Sequence, residues 1–295
     1  MTVLTSLADD ECWWRDVLDY RFQGVDGESH RLALAVRAGY LNAYVEGQSV
    51  LKIKFDDAVK PAHLRAKIHN KYLGGAGQIY KTFDGKTVNS LSYPSETKLS
   101  RWVAEAQKIA MAKSCGDSPS EKRGVAVIAS RNAQVIDLEM ALPGKVAPRI
   151  DLVALEGDAS ATKIVFYEAK LFSNPALRAR NHKPKVLEQL HTYEEWLTNE
   201  GRKAEVITAY RNACGLLIRL REMQGVPVDG LIKEASKPDS PLTVDTKPRL
   251  IIFGPQTTKG WPPHEEALRQ AGITGSRLII KEHPKDVVLS GDTRA

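Results

Sequence analysis

Two apolar runs that turn charged at one end constrain this chain more than any other feature. The first is Arg149-Ile150-Asp151-Leu152-Val153-Ala154-Leu155. The second is Lys163-Ile164-Val165-Phe166-Tyr167-Glu168-Ala169-Lys170. Both are short, rich in β-branched or aromatic residues, and separated by turn residues that include Gly157 and Asp158, the pattern of strands. Strand residues two apart project from the same face, so Glu168 and Lys170 point together while Tyr167 and Ala169 point away. If the two strands pair as a hairpin, Asp151 near the start of one lies beside Glu168 near the end of the next. Charged groups at the end of a buried strand pair are costly unless they are paired or hold a cation.

The chemistry open to such a cluster is narrow. Two carboxylates, Asp151 and Glu168, with the backbone carbonyl of Ala169, are hard oxygen ligands suited to Mg²⁺ or Mn²⁺. Lys170 beside them is placed to orient or deprotonate a water and to offset charge on a pentavalent phosphate. Each such contribution is worth several kcal/mol. Farther along, Val186 to Leu197 is amphipathic, and Gln189 and Tyr193, four residues apart, share one helical face. A Gln and a Tyr on a docked face can hydrogen-bond a phosphate or a catalytic lysine. The bland alternative is a core tyrosine and a surface glutamine.

The order Asp151, then Glu168-x-Lys170, then Gln189-x-x-x-Tyr193 resembles the PD-(D/E)XK nuclease superfamily, in its RecB-like branch. The resemblance covers residues 96–200 and extends to a strand at 249–253. It implies a restriction-endonuclease-like αβββαβ core, an α/β (α+β) fold with a mixed sheet flanked by helices. It also implies that Asp151 and Glu168 bind metal, that Lys170 is the catalytic lysine, and that Gln189 and Tyr193 support DNA or the active site. Ile150 stands where the family usually has proline, with Pro148 close by. Members often add a glutamate from the first core helix. Glu105, which shares a face with Trp102 and Ile109, is placed ahead of Glu96 and of Glu139 for that role.

The remaining pattern divides the chain into an N-terminal α+β module, residues 1–95, and a nuclease-like domain, residues 96–295. In the first, residues 9–20 read as a helix carrying Trp13 and Trp14. Leu32 to Phe55 reads as a strand-rich hairpin turning at Glu46-Gly47, and Lys60 to Leu73 as a basic helix begun by Pro61. Gly74 to Gly77 reads as a helix stop, since the Lys-Ser/Thr of a nucleotide-binding loop is missing. In the second, a helix is expected to run to Lys113. Gly116 to Arg123 is expected as a loop, with strands at 125–130, 134–142, 149–155 and 163–172. Helices follow from Lys185 and from Ala204, then a loop at 236–247, a strand at 249–253, a helix at 265–270 and a strand at 277–281.

Charge locates the expected partner. The 42 Lys and Arg exceed the 36 Asp and Glu, a net of +6, and two stretches hold bases without acids. One, between Ala58 and Phe83, carries Lys60, Lys67 and Lys71, proposed as phosphate contacts on one helical face. The other carries Arg178, Arg180, Lys183 and Lys185. Nucleic acid, DNA ahead of RNA, is the expected partner, with a homodimer or a partner subunit compatible. No run approaches the roughly 20 apolar residues that span a membrane, and the N-terminus lacks the basic-then-apolar order of a signal peptide. Three scattered cysteines suit a reducing cytoplasm rather than disulfides or zinc. Three classes follow: a Mg²⁺-dependent deoxyribonuclease for defence or repair, a non-catalytic nucleic-acid binder on the same fold, and an assembly protein using Trp13 and Trp14 as an interface.

Overall fold

Alternating burial in one stretch and continuous burial in another distinguish the two larger sheets formed by the described residues. The structure, a computed structural model, describes residues 13–56, 63–73, 79–84, 87–88, 91–92, 98–113, 120–142, 149–178, 183–256 and 261–289. Lys60, Gly74 to Gly77, Glu96 and Arg180 lie outside the described residues. The chain forms two compact units, one of residues 1–115 with 219–227 and one of residues 116–218 with 228–295.

The first unit is α+β. Helix α1 (Trp13–Asp19) precedes strands β1 (Arg21–Gln23) and β2 (Ser29–Arg31), which pair with each other. An antiparallel meander of seven strands follows: β3 (Ala33–Arg37), β4 (Tyr40–Val45), β5 (Gln48–Asp56), β6 (His63–His69), β7 (Tyr80–Phe83), β8 (Thr87–Val88) and β9 (Leu91–Ser92). Helix α2 (Lys98–Ala112) follows, and residues 219–227 also belong to this unit. Where the expected basic helix of residues 60–73 is described, it is a strand over His63–His69 followed by a short 3-10 turn, Asn70–Leu73. Leu64, Ala66 and Ile68 are buried while Lys67 is exposed and Arg65 half-buried. That alternation is the period-two signature of a one-sided sheet, and it outweighs the proline start signal. The expected shared helical face of Lys60, Lys67 and Lys71 goes with it. Trp14 is fully buried, and Trp13 packs edge-on against Phe83 at 5.2 Å between ring centroids, so the tryptophan pair belongs to a core rather than to an interface. Trp102, Val103 and Ala106 of α2 join that same core, which is why the unit boundary falls after α2 and not at residue 95.

In the second unit, helix α3 (Glu121–Arg131) leads into β10 (Val135–Ala141), β11 (Arg149–Glu156) and β12 (Thr162–Leu171). Then come α4 (Lys185–Thr198), α5 (Glu200–Met223), α6 (Gly230–Ala235), β13 (Leu242–Val244), β14 (Arg249–Phe253), α7 (Pro262–Gln270) and β15 (Leu278–Lys281). Residues 219–223, the end of α5, belong to the first unit. The mixed sheet runs β10-β11-β12-β14-β15, antiparallel across its first two joins and parallel across the rest, with β13 also parallel to β12. Strand β14 is buried at every position, as a parallel strand covered on both faces must be. The short β13 and α6 fall in and beside the stretch expected as loop. Among the described residues, no helix is long and apolar enough to cross a membrane.

The expected strand at 125–130 is part of α3. Ser120 caps the helix by accepting from the Arg123 N–H at 3.5 Å, and Glu121 places an acid in the first turn, both favourable at a helix N-terminus. An unbroken apolar run such as Val125 to Ala129 suits a buried helix as well as a strand. Gly124 lets the helix approach the sheet, because a Cβ there would fall on the ring of the fully buried Phe253. Gly124→Ala should therefore destabilise the protein by about 1–2 kcal/mol, overpacking outweighing the roughly 1 kcal/mol gain in helix propensity. A urea midpoint that rises in the variant would show that the ring has room to move.

Candidate active site

The β11–β12 register sets the site. Leu152 pairs with Tyr167 and Val153 with Phe166, so one step toward the start of β11 brings Asp151 across from Glu168. Beyond Leu152 the Asp151 side chain takes over from the ladder: its Oδ2 accepts the Ala169 N–H at 2.9 Å. The carboxylate thus does for β12 what a main-chain carbonyl would have done. Its other oxygen, Oδ1, has no hydrogen-bond donor among the described residues. Glu168 is 2% exposed and Lys170 8%; the Lys170 ammonium donates to Glu168 Oε1.

Helix α4 delivers Tyr193, which packs with Val186, Leu190 and Leu197 on the helix's buried face. Its hydroxyl lies 2.8 Å from the Arg149 carbonyl and 3.0 Å from Glu168 Oε2. One hydroxyl hydrogen cannot serve both acceptors in full. A proton on Glu168 Oε2 would let Glu168 donate to Tyr193 and Tyr193 donate to Arg149. Gln189, one turn earlier, is half-buried, and its side chain makes no hydrogen bond among the described residues.

A third acid arrives from a segment expected as loop. Glu121 Oε1, at the start of α3, accepts the Leu171 N–H at 3.1 Å and an Asn174 amide hydrogen. It is close enough to raise the carboxyl pKa of both Asp151 and Glu168. Glu105, expected in this role, sits on α2 in the other unit and pairs with Lys108 at 2.7 Å. The correction follows from the helix assignment: α3, not α2, is the helix that precedes the three strands. The signal was present in Ser120-Glu121, a cap residue followed by an acid. Glu139 has a positive φ of 50° and pairs with Lys122 and, at 3.7 Å, with Arg149.

The electrostatics follow from three acids facing one base. Burial, then the neighbouring Glu168 charge, pushes the Asp151 carboxyl up to about 7, against the Ala169 N–H and Lys170, which pull it down. Burial raises Glu168 as well, with Lys170 and the Tyr193 hydroxyl opposing. For Lys170, burial favours the neutral amine, but Glu168, Asp151 and Glu121 outweigh it and hold the ammonium above its usual range. Burial and the Glu168 charge raise the Tyr193 phenol. At neutral pH Lys170 is thus a proton donor and counter-charge. Perturbed carboxylates meeting beside one lysine are the kind of cluster that marks functional sites.

The donor set fits a hard divalent cation. Asp151, Glu168 and the Ala169 carbonyl could supply oxygens, and Mg²⁺ needs only one or two carboxylates because it keeps several waters. Among the described residues, no three His, Cys, Asp or Glu side chains close into a ready-made cage. The basic residues expected to contact nucleic acid are dispersed. Arg178 donates to the Phe172 carbonyl at 2.7 Å and lies 5.3 Å from the rings of both Phe172 and Trp261, a packing role. Lys183 and Lys185 are exposed at the start of α4. Lys67 is exposed on β6, and Lys71 donates to Gln48 at 3.3 Å. No protein-family model, curated protein or solved structure matches the chain.

The raised Asp151 pKa carries a sign that can be checked. The folded carboxyl holds a proton up to about pH 7, while the unfolded chain releases it near its ordinary 3.8. Between those values the folded state binds more protons, so rising pH favours unfolding. A displacement of that size corresponds to roughly 4 kcal/mol, reduced to about 1–3 kcal/mol because the carboxyl is partly open to water. Asp151→Asn keeps an acceptor for Ala169 and removes the charge. Without added metal, its thermal stability should match wild type below pH 4 and exceed it above pH 7. Equal stability at pH 8 would contradict the assigned shift.

Proposed function

We propose that this protein is a metal-dependent nuclease, hydrolysing phosphodiester bonds in nucleic acid, DNA ahead of RNA, on a restriction-endonuclease-like αβββαβ core. The observation that carries the proposal is the meeting of Asp151, Glu168 and Lys170 on one face at the end of the β11–β12 pair, with Tyr193 on Glu168 and Glu121 alongside. The order α3, β10, β11, β12, α4, β14 supports it. Mg²⁺ or Mn²⁺ held by Asp151, Glu168 and the Ala169 carbonyl would supply Lewis acidity toward the phosphoryl oxygen and acidify a water. Asp151 competes for the cation with its own proton, so binding strengthens as pH rises through about 7. Lys170 keeps its proton, orients the attacking water and offsets charge on the phosphorane. Tyr193 fixes the Glu168 carboxylate from the side away from Lys170. Glu121 is held by β12 itself and adds the negative potential that draws in the cation.

A second reading is a nuclease-fold protein that binds nucleic acid without cutting it. It is favoured by the direct contact of the Lys170 ammonium with Glu168, which in a silent site would be a finished ion pair.

Nicking of supercoiled plasmid separates the two. Wild type with Mg²⁺ should convert it to open circles, and EDTA should stop the reaction. Lys170→Ala should lower the rate by about 10²–10³-fold, the scale of one missing charge-stabilising donor. Tyr193→Phe keeps the packed ring and removes only the hydroxyl, so a smaller loss of roughly 10-fold is expected. Cleavage of neither DNA nor RNA with Mg²⁺ or Mn²⁺ would leave the binding reading in its place.

A further inference from the structure

The face of the seven-stranded sheet turned away from its apolar core sets like charges against one another. Lys52 on β5 stands directly opposite Lys67 on β6, and Lys54 opposite Arg65. Like charges directly opposite across an antiparallel pair destabilise it, and Lys52 with Lys67 is such a pair. Between Gln48 and Phe55, and again between Ala58 and Phe83, the chain has no Asp or Glu. Among the described residues, Lys52, Lys54 and Lys67 form no ion pair.

Aromatic rings are set among these bases. Register places Tyr40 across from Lys54, continuing the Leu41–Ile53 and Asn42–Lys52 pairs. Tyr80 pairs with His69 next to the Lys67–Thr82 pair, and so shares the face of Lys67. The Lys52 ammonium lies 5.9 Å from the Tyr40 ring centroid and 4.9 Å from that of Tyr80, and Lys54 lies 6.0 Å from Tyr40. Tyr80 is 45% exposed. The bases are thus aligned over tyrosine rings, one of which offers open surface to a partner.

We propose that this face binds single-stranded nucleic acid, with Lys52, Lys54 and Lys67 on the phosphates and Tyr80 stacking on an unpaired base. Charge complementarity selects a polyanion, and relief of the Lys52–Lys67 repulsion gives the anion a driving force beyond simple pairing. The exposed ring selects the strand form: a duplex hides its base faces, whereas a single strand presents them to an aromatic platform. The inference deepens the nuclease reading and rests on it for the choice of nucleic acid among polyanions. It assigns the first unit the task of holding an unpaired strand.

The test is fluorescence anisotropy of the full chain in EDTA, so that no cleavage enters, with a labelled 20-nucleotide oligothymidine, a 20-base-pair duplex and phosphatidylserine vesicles as probes. The oligothymidine should bind more tightly than the duplex or the vesicles. Lys52→Thr/Lys67→Thr should weaken its binding at least 10-fold and reduce the slope of log affinity against log salt by about 1.4, roughly 0.7 for each phosphate no longer neutralised. Tyr80→Leu should weaken binding about 5- to 30-fold with the slope unchanged. The lysine variant should melt no lower than wild type, because it removes repulsion, so its weaker binding will not reflect unfolding. Stronger binding to duplex or vesicles overturns the inference, as does unchanged oligothymidine binding by the variants. If plasmid nicking fails while these results hold, the catalytic reading falls and this one stands. If nicking succeeds while the variants bind normally, the reverse is true.

Discussion

The antiparallel pairing of β11 with β12 is the interaction on which the second unit depends. Its middle is closed and apolar: Leu152, Val153, Ala154 and Leu155 meet Tyr167, Phe166, Val165 and Ile164, all fully buried. A slip by one residue would turn every side chain of a strand to the other face, and here it would also carry Glu168 and Lys170 away from Asp151. The same register that closes the core also carries Asp151 up to Glu168. A shifted pairing would disrupt core and site together. The site therefore has little positional freedom, and preorganisation of that kind is what stabilisation of developing charge requires.

Strand alternation assigns the two faces of this sheet different electrostatic work. On the face opposite the site, Glu156 is 3% exposed and forms an ion pair with Arg249 at 2.7 Å; it also accepts the Tyr167 hydroxyl. Arg249 reaches Asp245 at 3.4 Å and lies 5.7 Å from the Tyr167 ring centroid. Burial still raises the Glu156 carboxyl, with Arg249 opposing, but each charge there has a designated partner. A paired, hydrogen-bonded buried cluster of this kind can be purely architectural. The site face differs in stoichiometry. Glu121, Asp151 and Glu168 share one Lys170; burial first, then the neighbouring Glu168 and Glu121 charges, hold Asp151 up at about 7. The contrast within one sheet separates a structural charge cluster from a candidate functional one more sharply than burial alone.

Much of the site was legible in the sequence because it lies on strands, whose period of two is rigid. Glu168 and Lys170 must share a face, and the hairpin brings Asp151 to them. Tyr193 was legible from its place on an amphipathic helix, whose face buries Val186, Leu190, Tyr193 and Leu197. Glu121 was not, because a short apolar run cannot by itself distinguish a buried helix from a buried strand. A strand at Val125 to Ser130 would put Glu121 in a loop and favour Glu105. The outcome depends on Gly124, whose missing side chain admits the Phe253 ring, a tertiary contact that no local pattern reveals. In the first unit the error runs the other way. Pro61 suggests a helix start, but Leu64, Ala66 and Ile68 alternate with Arg65 and Lys67, and pairing with β5 and β7 decides for the strand. That change of period moves Lys67 from a proposed helical stripe to the open face of a sheet.

Each unit carries charge that its own fold leaves unbalanced, and the signs are opposite. In the second unit the excess is negative and partly buried, where low polarity magnifies repulsion and raises the carboxyl pKa values. In the first it is positive and displayed on a sheet, where repulsion between opposed lysines weakens the pairing it sits on. Neither arrangement helps the isolated chain to fold, and both are of the kind that activity can maintain against stability. Under the proposed function a hard cation would relieve the first and a phosphate backbone the second. A phosphodiester substrate accompanied by a divalent ion brings both. Each cluster, within its own unit, is thus of the sign that the proposed reading requires.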